Sequence, residues 1–222
     1  MRLWMARGGG FAFSVLCFSF ALQGCGSADH SSPLPTQTNN SAGIPVASLG
    51  INYTAAIWSQ VGNSKPWTDA VVSAIRKQIA SFELARDVED FCPGYAKASV
   101  SSREICWLRL VGGVVRYESN FNPSDSFKEP SGDVSVGLLA LSPNECPNAP
   151  TVDALKDPVE NLICGITIMA RLIKADGFID GPPSGRGASA YWSTLRAPYI
   201  SGKYHLGKKD QIIPMTKIYL TY

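Results

Sequence analysis

The chain has 222 residues, 45% of them hydrophobic and 17% charged, with a formal net charge of +2. That length and apolar content suit a domain with a real core and exclude a disordered or fibrous chain. Arg2 and Arg7 supply the excess; from residue 25 onward 18 basic residues face 18 acidic ones, which argues against nucleic acid as a partner because phosphate binding needs clustered positive charge.

Behind Arg2 and Arg7 runs an apolar stretch, Phe11 to Leu22, shorter than the roughly 20 residues of a bilayer span and suited to an export signal. It closes on Leu22-Gln23-Gly24-Cys25, which resembles a bacterial lipobox. Residues 1–24 are therefore expected to be a signal peptide and Cys25 to carry the lipid, anchoring the protein to a membrane surface. Gly26 after the cysteine favours the outer membrane, facing the periplasm. Gln23 is uncommon in such a box, so ordinary secretion stays open as the alternative. Residues 25–50, rich in Ser, Asn, Pro, Thr and Gly, offer little to bury and read as a flexible tether. Residues 51–222, about 170 in all, suit one globular domain.

Within that domain Pro66-Trp67-Thr68 opens a helix reaching about Ala85, with Val71, Val72, Ile75, Ile79 and Phe82 on one face. Pro93-Gly94 breaks the chain, and Ser101-Ser102-Arg103-Glu104 has the form of a capping box that starts a second helix ending near Ser119. Residues 120–151 are full of Ser, Asn, Pro and Gly; loops that long are functional or carry small strands. Asp157-Pro158 opens a third helix, carrying Leu162, Ile163, Ile166, Met169, Leu172 and Ile173, and a short helix is expected from Ala188 to Leu195. The expected fold class is mostly α, a single helical domain with a long loop or small β element.

Six cysteines become informative once export is accepted. Cys17 leaves with the signal and Cys25 takes the lipid, so Cys92, Cys106, Cys146 and Cys164 remain, an even set in an oxidising compartment. Three pairings exist; proximity in the sequence favours Cys92–Cys106 with Cys146–Cys164, each contributing about 3 kcal/mol in the chain-entropy model. A zinc site is a weak rival, since there is no CxxC pair and the histidines are His30, in the tether, and His205. No metal and no cofactor are expected, and the protein is expected to act as a monomer. From Arg171 to Lys217 eight basic residues face three acidic ones, which suits an anionic polymer or simply a solvated face.

The second helix holds the residue that carries chemistry. Trp107, Val111, Val114 and Glu118 share one face at about 100° per residue. A carboxylic acid thus stands at the C-terminal end of an apolar stripe. Desolvation and the negative end of the helix dipole both disfavour its ionised form, as a general acid working near neutrality requires. Position alone also fits a carboxylate that merely marks where the apolar face meets solvent.

The surrounding residues decide between those readings. Glu118-Ser119-Asn120-Phe121-Asn122-Pro123, Ser135-Val136-Gly137-Leu138-Leu139-Ala140-Leu141-Ser142, and Ala188-Ser189-Ala190-Tyr191-Trp192 occur in that order. The set, over roughly residues 108 to 196, resembles the soluble lytic transglycosylases and their relatives, the goose-type lysozymes. The helix from Asp157 to Gly165, with Asn161, resembles one that family places between its last two motifs. The resemblance implies an α+β lysozyme-like domain with Glu118 as catalytic acid, and Ser119, Ser135, Gly137, Leu138, Tyr191 and Trp192 in the substrate cleft. It implies peptidoglycan glycan strands as partner, cut at the β-1,4 bond between N-acetylmuramic acid and N-acetylglucosamine to leave a 1,6-anhydro sugar.

Ala140 replaces the family's Gln, Leu139 its Met and Trp192 its Asn, which takes polar groups from the cleft wall; Trp192 suits sugar stacking or the core. The alternative is a lysozyme-type hydrolase acting on modified, for example N-deacetylated, glycan. It needs a second carboxylate, for which Asp133 and Asp125 are candidates, although both also suit turn capping. Rival classes are a non-catalytic cell-wall-binding lipoprotein on the same fold and a cysteine peptidase using His205.

Overall fold

Residues 50–198 and 207–217 are described in the computed structural model, and the folded unit begins at Ile51. The export signal, Cys25, the tether and His205 lie outside those residues.

The first helix, α1 (Lys65–Phe82), carries Pro66 in its first turn, where a missing N–H costs nothing, and buries Trp67, Val71, Val72, Ile75 and Phe82 as the spacing demands. A single turn, α2 (Val88–Phe91), follows, and then α3 (Val100–Glu118). The cap of α3 is Ser99, which accepts the N–H of Ser102, and not Ser101. Glu104 does not reach back to the cap; Arg76 of α1 holds it through two bonds of 2.7 and 2.9 Å. A tertiary ion pair has overridden a local capping box.

Nine residues of α3 between Cys106 and Val115 are buried, so the helix is covered on most sides, as a central helix must be. Trp107 lies 4.6 Å from the Phe82 ring and donates its indole N–H to Tyr95 at 2.7 Å; burial pushes the Tyr95 phenol above its usual pKa.

The segment 120–151 carries small strands, as expected. β1 (Ser126–Lys128) and β2 (Val134–Val136) form an antiparallel hairpin in the register Ser126↔Val136, Phe127↔Ser135, Lys128↔Val134. A one-turn helix α4 (Val152–Leu155) leads into α5 (Pro158–Asp176), where Asp157 caps the N–H groups of Val159 and Glu160 and Gly177 closes the far end at φ +75°. α1 and α5 form the most extensive helix pair. The helix expected over Ala188 to Leu195 is instead two 3-10 turns, Gly187–Ala190 and Ser193–Leu195, because Trp192 between them is extended with its ring in the core. A last helix, α6 (Lys209–Thr216), not anticipated from sequence, packs across α3 and buries Ile212.

The disulfides are Cys92–Cys106 and Cys146–Cys164. The first ties the end of α2 to α3; the second ties the loop after the hairpin to α5. With all four domain cysteines bonded, none remains a thiol for a cysteine nucleophile. The fold is mostly helical with one small hairpin, and no described helix is long and apolar enough to cross a membrane.

Candidate functional site

Glu118 is the last residue of α3 and is half-buried. Its Oε1 accepts the hydroxyl of Thr194 at 2.9 Å, so a residue from the last 3-10 turn fixes the carboxyl group. Immediately beyond it the backbone turns through two left-handed residues that are not glycine, Asn120 at φ +51° and Phe121 at φ +64°. Arg116 supports both: it donates to Asn120 Oδ1, and its guanidinium lies 5.7 Å from the Phe121 ring centroid. Such backbone costs of order 1–3 kcal/mol per residue and persists only where surrounding contacts enforce it.

The loop 137–140 is built around the same point. Val136 and Leu141 exchange two backbone hydrogen bonds of 2.9 Å and close a tight turn, with Gly137 at φ +76° and Ala140 at φ +50°. Side chains satisfy the buried backbone. Ser119 Oγ donates to Leu138 O at 2.9 Å, and Trp192 Nε1 donates to Leu139 O at 2.9 Å. Fully buried Asn161 of α5 does most: its Oδ1 accepts Leu139 N–H at 2.9 Å, and its Nδ2 donates to Val136 O at 2.9 Å and Leu155 O at 3.0 Å. Gly137 is required because a Cβ there would lie 2.5 Å from Leu155 O and collide with Asn161 Nδ2. The residue after Glu118 is thereby hooked to the residues after β2.

These bonds place the residues singled out from sequence. Ser119 is buried and acts as the hook; Gly137 and Leu138 are buried in the turn it holds. Tyr191 is half-buried, and its hydroxyl accepts Ser142 N–H at 3.0 Å on the far side of the same loop. Trp192 is 0% exposed, which removes it as a sugar-stacking surface; its indole is spent on Leu139 O. Asp125 is exposed where the hairpin starts, and its backbone carbonyl accepts Gly137 N–H at 2.7 Å. Asp133 is exposed at the hairpin tip and accepts the Ser131 hydroxyl at 3.0 Å, the turn-capping role.

Ser135 leads to a residue the sequence reading missed. Its hydroxyl donates to Glu129 Oε1 at 2.9 Å, and both residues are half-buried although β1 beside them is fully exposed. Ser135 stands three residues before Leu138, so its Cα lies within about 11 Å of the Leu138 Cα, which is tied to the neighbour of Glu118. Glu129 is thus a second carboxylate, on the hairpin whose following turn is hooked to Ser119. Thr194 was also missed. Neither residue has a signal in its immediate sequence; the hairpin register reveals the first.

Charge is uneven here. Residues 118–160 carry eight acidic side chains and two basic ones. The basic excess toward the C-terminus is partly consumed internally, in Arg171–Glu145 at 2.8 Å, Arg186–Asp176 at 3.4 Å and Lys209–Asp180 at 3.7 Å. Among the described residues no group of His, Cys, Asp and Glu is arranged to hold a metal ion.

No protein-family model matches the chain, and no curated protein does. Solved structures do. A wild-type form of Bd0314 DslA, from Bdellovibrio, is 31% identical, with a TM-score of 0.61 over 72% of this chain and 93% of that one. Two variants of DslA, each with one glutamate replaced by glutamine, match at TM-scores of 0.60 and 0.57, with 31% and 29% identity over 93% and 94% of their lengths. The two replaced glutamates stand eleven residues apart in that protein. At that identity over nearly the whole of the relative, this chain belongs to the family of DslA.

Proposed function

We propose that the protein is an exported glycosidase that cleaves peptidoglycan strands at the β-1,4 bond following N-acetylmuramic acid. Glu118 is the acid that protonates the bridging oxygen, and Glu129 is the second carboxylate. The observation that carries this is the pair itself: two half-buried glutamates, each fixed by a hydroxyl donor, Thr194 and Ser135, on elements joined by the Ser119–Leu138 hydrogen bond. Glu118 and Glu129 are also the only two glutamates of the sequence separated by eleven residues, the separation of the two glutamates replaced in the DslA variants.

As the glycosidic bond breaks, Glu118 gives its proton to the leaving oxygen and the sugar ring takes up oxocarbenium character. With Glu129 available as base or nucleophile, water completes the reaction and both products keep ordinary ends. Glu129 therefore takes the role for which Asp133 and Asp125 were candidates. The eight acids of residues 118–160 favour a cationic strand, such as N-deacetylated glycan. A deacetylated sugar has no acetamido carbonyl to assist the reaction, so a protein carboxylate must do so. The second reading is a lytic transglycosylase using Glu118 alone and forming a 1,6-anhydro end, which the order of motifs around Glu118 and Tyr191 favours. The remaining rival, a non-catalytic wall-binding protein, leaves two fixed glutamates without a purpose.

The test is digestion of matched acetylated and deacetylated peptidoglycan by the parent, Glu118→Gln and Glu129→Gln, with products read by mass spectrometry. Hydrolytic ends, lost with either substitution, are expected. Anhydro ends that survive Glu129→Gln would return the transglycosylase reading, and no cleavage of either substrate would refute the proposal. The lipid anchor at Cys25 is checked separately, by palmitate labelling that disappears in Cys25→Ser.

A further inference from the structure

The hairpin has two unlike faces. In the observed register Val134 and Val136, with their partners Lys128 and Ser126, project to one side, and Val136 is buried in the core. Cross-strand partners share a face, and so do residues two apart along a strand. Phe127, opposite Ser135, therefore projects to the other side, and Glu129, two residues on, joins them; the Ser135–Glu129 hydrogen bond reports that shared face. Phe127 is 61% exposed and is the only large aromatic among the exposed hydrophobics of the described residues.

Folding does not ask for an aromatic there. Every residue of β1 is exposed, and Phe127 takes no part in the buried core. A Thr or Lys would suit the strand as well and would keep an isolated hairpin better solvated. Its position is informative because it shares its face with a carboxylate already assigned to the reaction. An aromatic ring offers a flat apolar surface with a negative face, which matches the polarised C–H groups along one side of a pyranose. A cationic glucosamine beside Glu129 adds a second attraction to the same ring face.

We propose that Phe127 is a binding residue on which the glycan strand stacks a sugar ring, next to the unit that Glu129 addresses. This deepens the reading of Glu118 and Glu129 as a glycosidase pair and rests on it. Stacking acts on ground state and transition state alike, so it sets affinity and leaves the chemical step nearly untouched.

The test uses the exported full-length protein carrying Glu118→Gln, which holds the glycan without turning it over, and measures its binding to insoluble deacetylated peptidoglycan. Adding Phe127→Ala should weaken binding about tenfold, and Phe127→Tyr should stay within about twofold of the Glu118→Gln protein. Leu84→Ala, which removes a comparably exposed side chain beyond the end of α1, should leave binding unchanged. In the active protein Phe127→Ala should raise KM with kcat preserved. Unchanged binding in Phe127→Ala, or an equal loss in Leu84→Ala, overturns the proposal. A parent that cleaves nothing but loses wall binding with Phe127→Ala would refute the glycosidase reading and still support Phe127.

Discussion

Asn161 is where a single substitution should release the turn after β2 from α4 and α5. Asn161→Leu keeps the branched heavy-atom skeleton and removes every polar group of the side chain. Val136 O retains a partner, because Leu141 N–H donates to it at 2.9 Å. Leu139 N–H and Leu155 O each lose the Asn161 bond and stay buried beneath a leucine. A buried polar group left unsatisfied costs about 1–3 kcal/mol, so two of them imply a loss of about 2–6 kcal/mol. That is a large share of the 5–15 kcal/mol typical of a domain. The assay is urea unfolding of the disulfide-bonded domain, followed by fluorescence of the buried tryptophans. A loss below about 1 kcal/mol would show that water or loop relaxation replaces the amide, and would refute the claim that this side chain holds the turn.

Asn161→Asp sharpens the argument. Its carboxylate can accept from Leu139 N–H but faces Val136 O and Leu155 O with no proton to share. Protonation restores one donor, so the folded-state pKa must rise above the unfolded value of about 3.9. A raised carboxyl pKa stabilises fully below the unfolded value and is lost as pH rises through the folded value. This variant should therefore recover toward the parent as pH falls to about 4, whereas Asn161→Leu should not.

Three further outcomes follow from the geometry. Replacing both Cys146 and Cys164 by Ser should lower stability by about 3 kcal/mol through the freed loop, read as a lower urea midpoint; peptide mapping should find only the Cys92–Cys106 and Cys146–Cys164 pairs in exported protein. Gly137→Ala should destabilise more than Gly165→Ala. The first sets a Cβ against the backbone oxygen of Leu155 at positive φ, while the second meets the tip of the Leu139 side chain, and thermal melting ranks them. Asp176 is held below the usual carboxylate range, chiefly by the N–H of Gly187 at 2.7 Å and then by Arg186. A depressed carboxyl stabilises above its unfolded pKa, about 3.9, and the effect is lost as pH falls through the lower folded value; Asp176→Asn should flatten the acid limb of the stability curve, and an unchanged limb would contradict the assignment.

How much of this was legible depended on whether the deciding partner was local. α5 could be read to its first residue, because Asp157 and Pro158 settle a cap without outside help. The disulfides were equally accessible, since the four domain cysteines allow only three pairings and neighbours in sequence are favoured. The cap of α3 was misplaced by two residues because Arg76, 28 positions earlier, takes the Glu104 carboxylate. Trp192 was open between sugar and core, and what sent it to the core is Leu139 O, 53 positions away. Glu118 was visible because a helix displays its faces in the sequence; Glu129 was not. Strands of three residues give no periodicity, and Glu129 acquires meaning only once Phe127 is paired with Ser135.

The same logic explains why the site lies where local preference is violated. Asn120, Phe121 and Ala140 take a left-handed backbone that glycine would adopt without strain, and two of the three lie within three residues of Glu118. Glycine at position 121 would relieve the dihedral but discard a ring packed between the core and Arg116, and would free the loop that aims the chain into β1. The strained backbone turns the chain abruptly at the end of α3, so that Ser119 reaches Leu138 in the turn after β2. A relaxed loop would let the hairpin drift, and Glu129 with it. In the proposed pairing of Glu118 with Glu129, the distance between the two carboxylates is the property to be held, and the strain is borne by the residues that hold it.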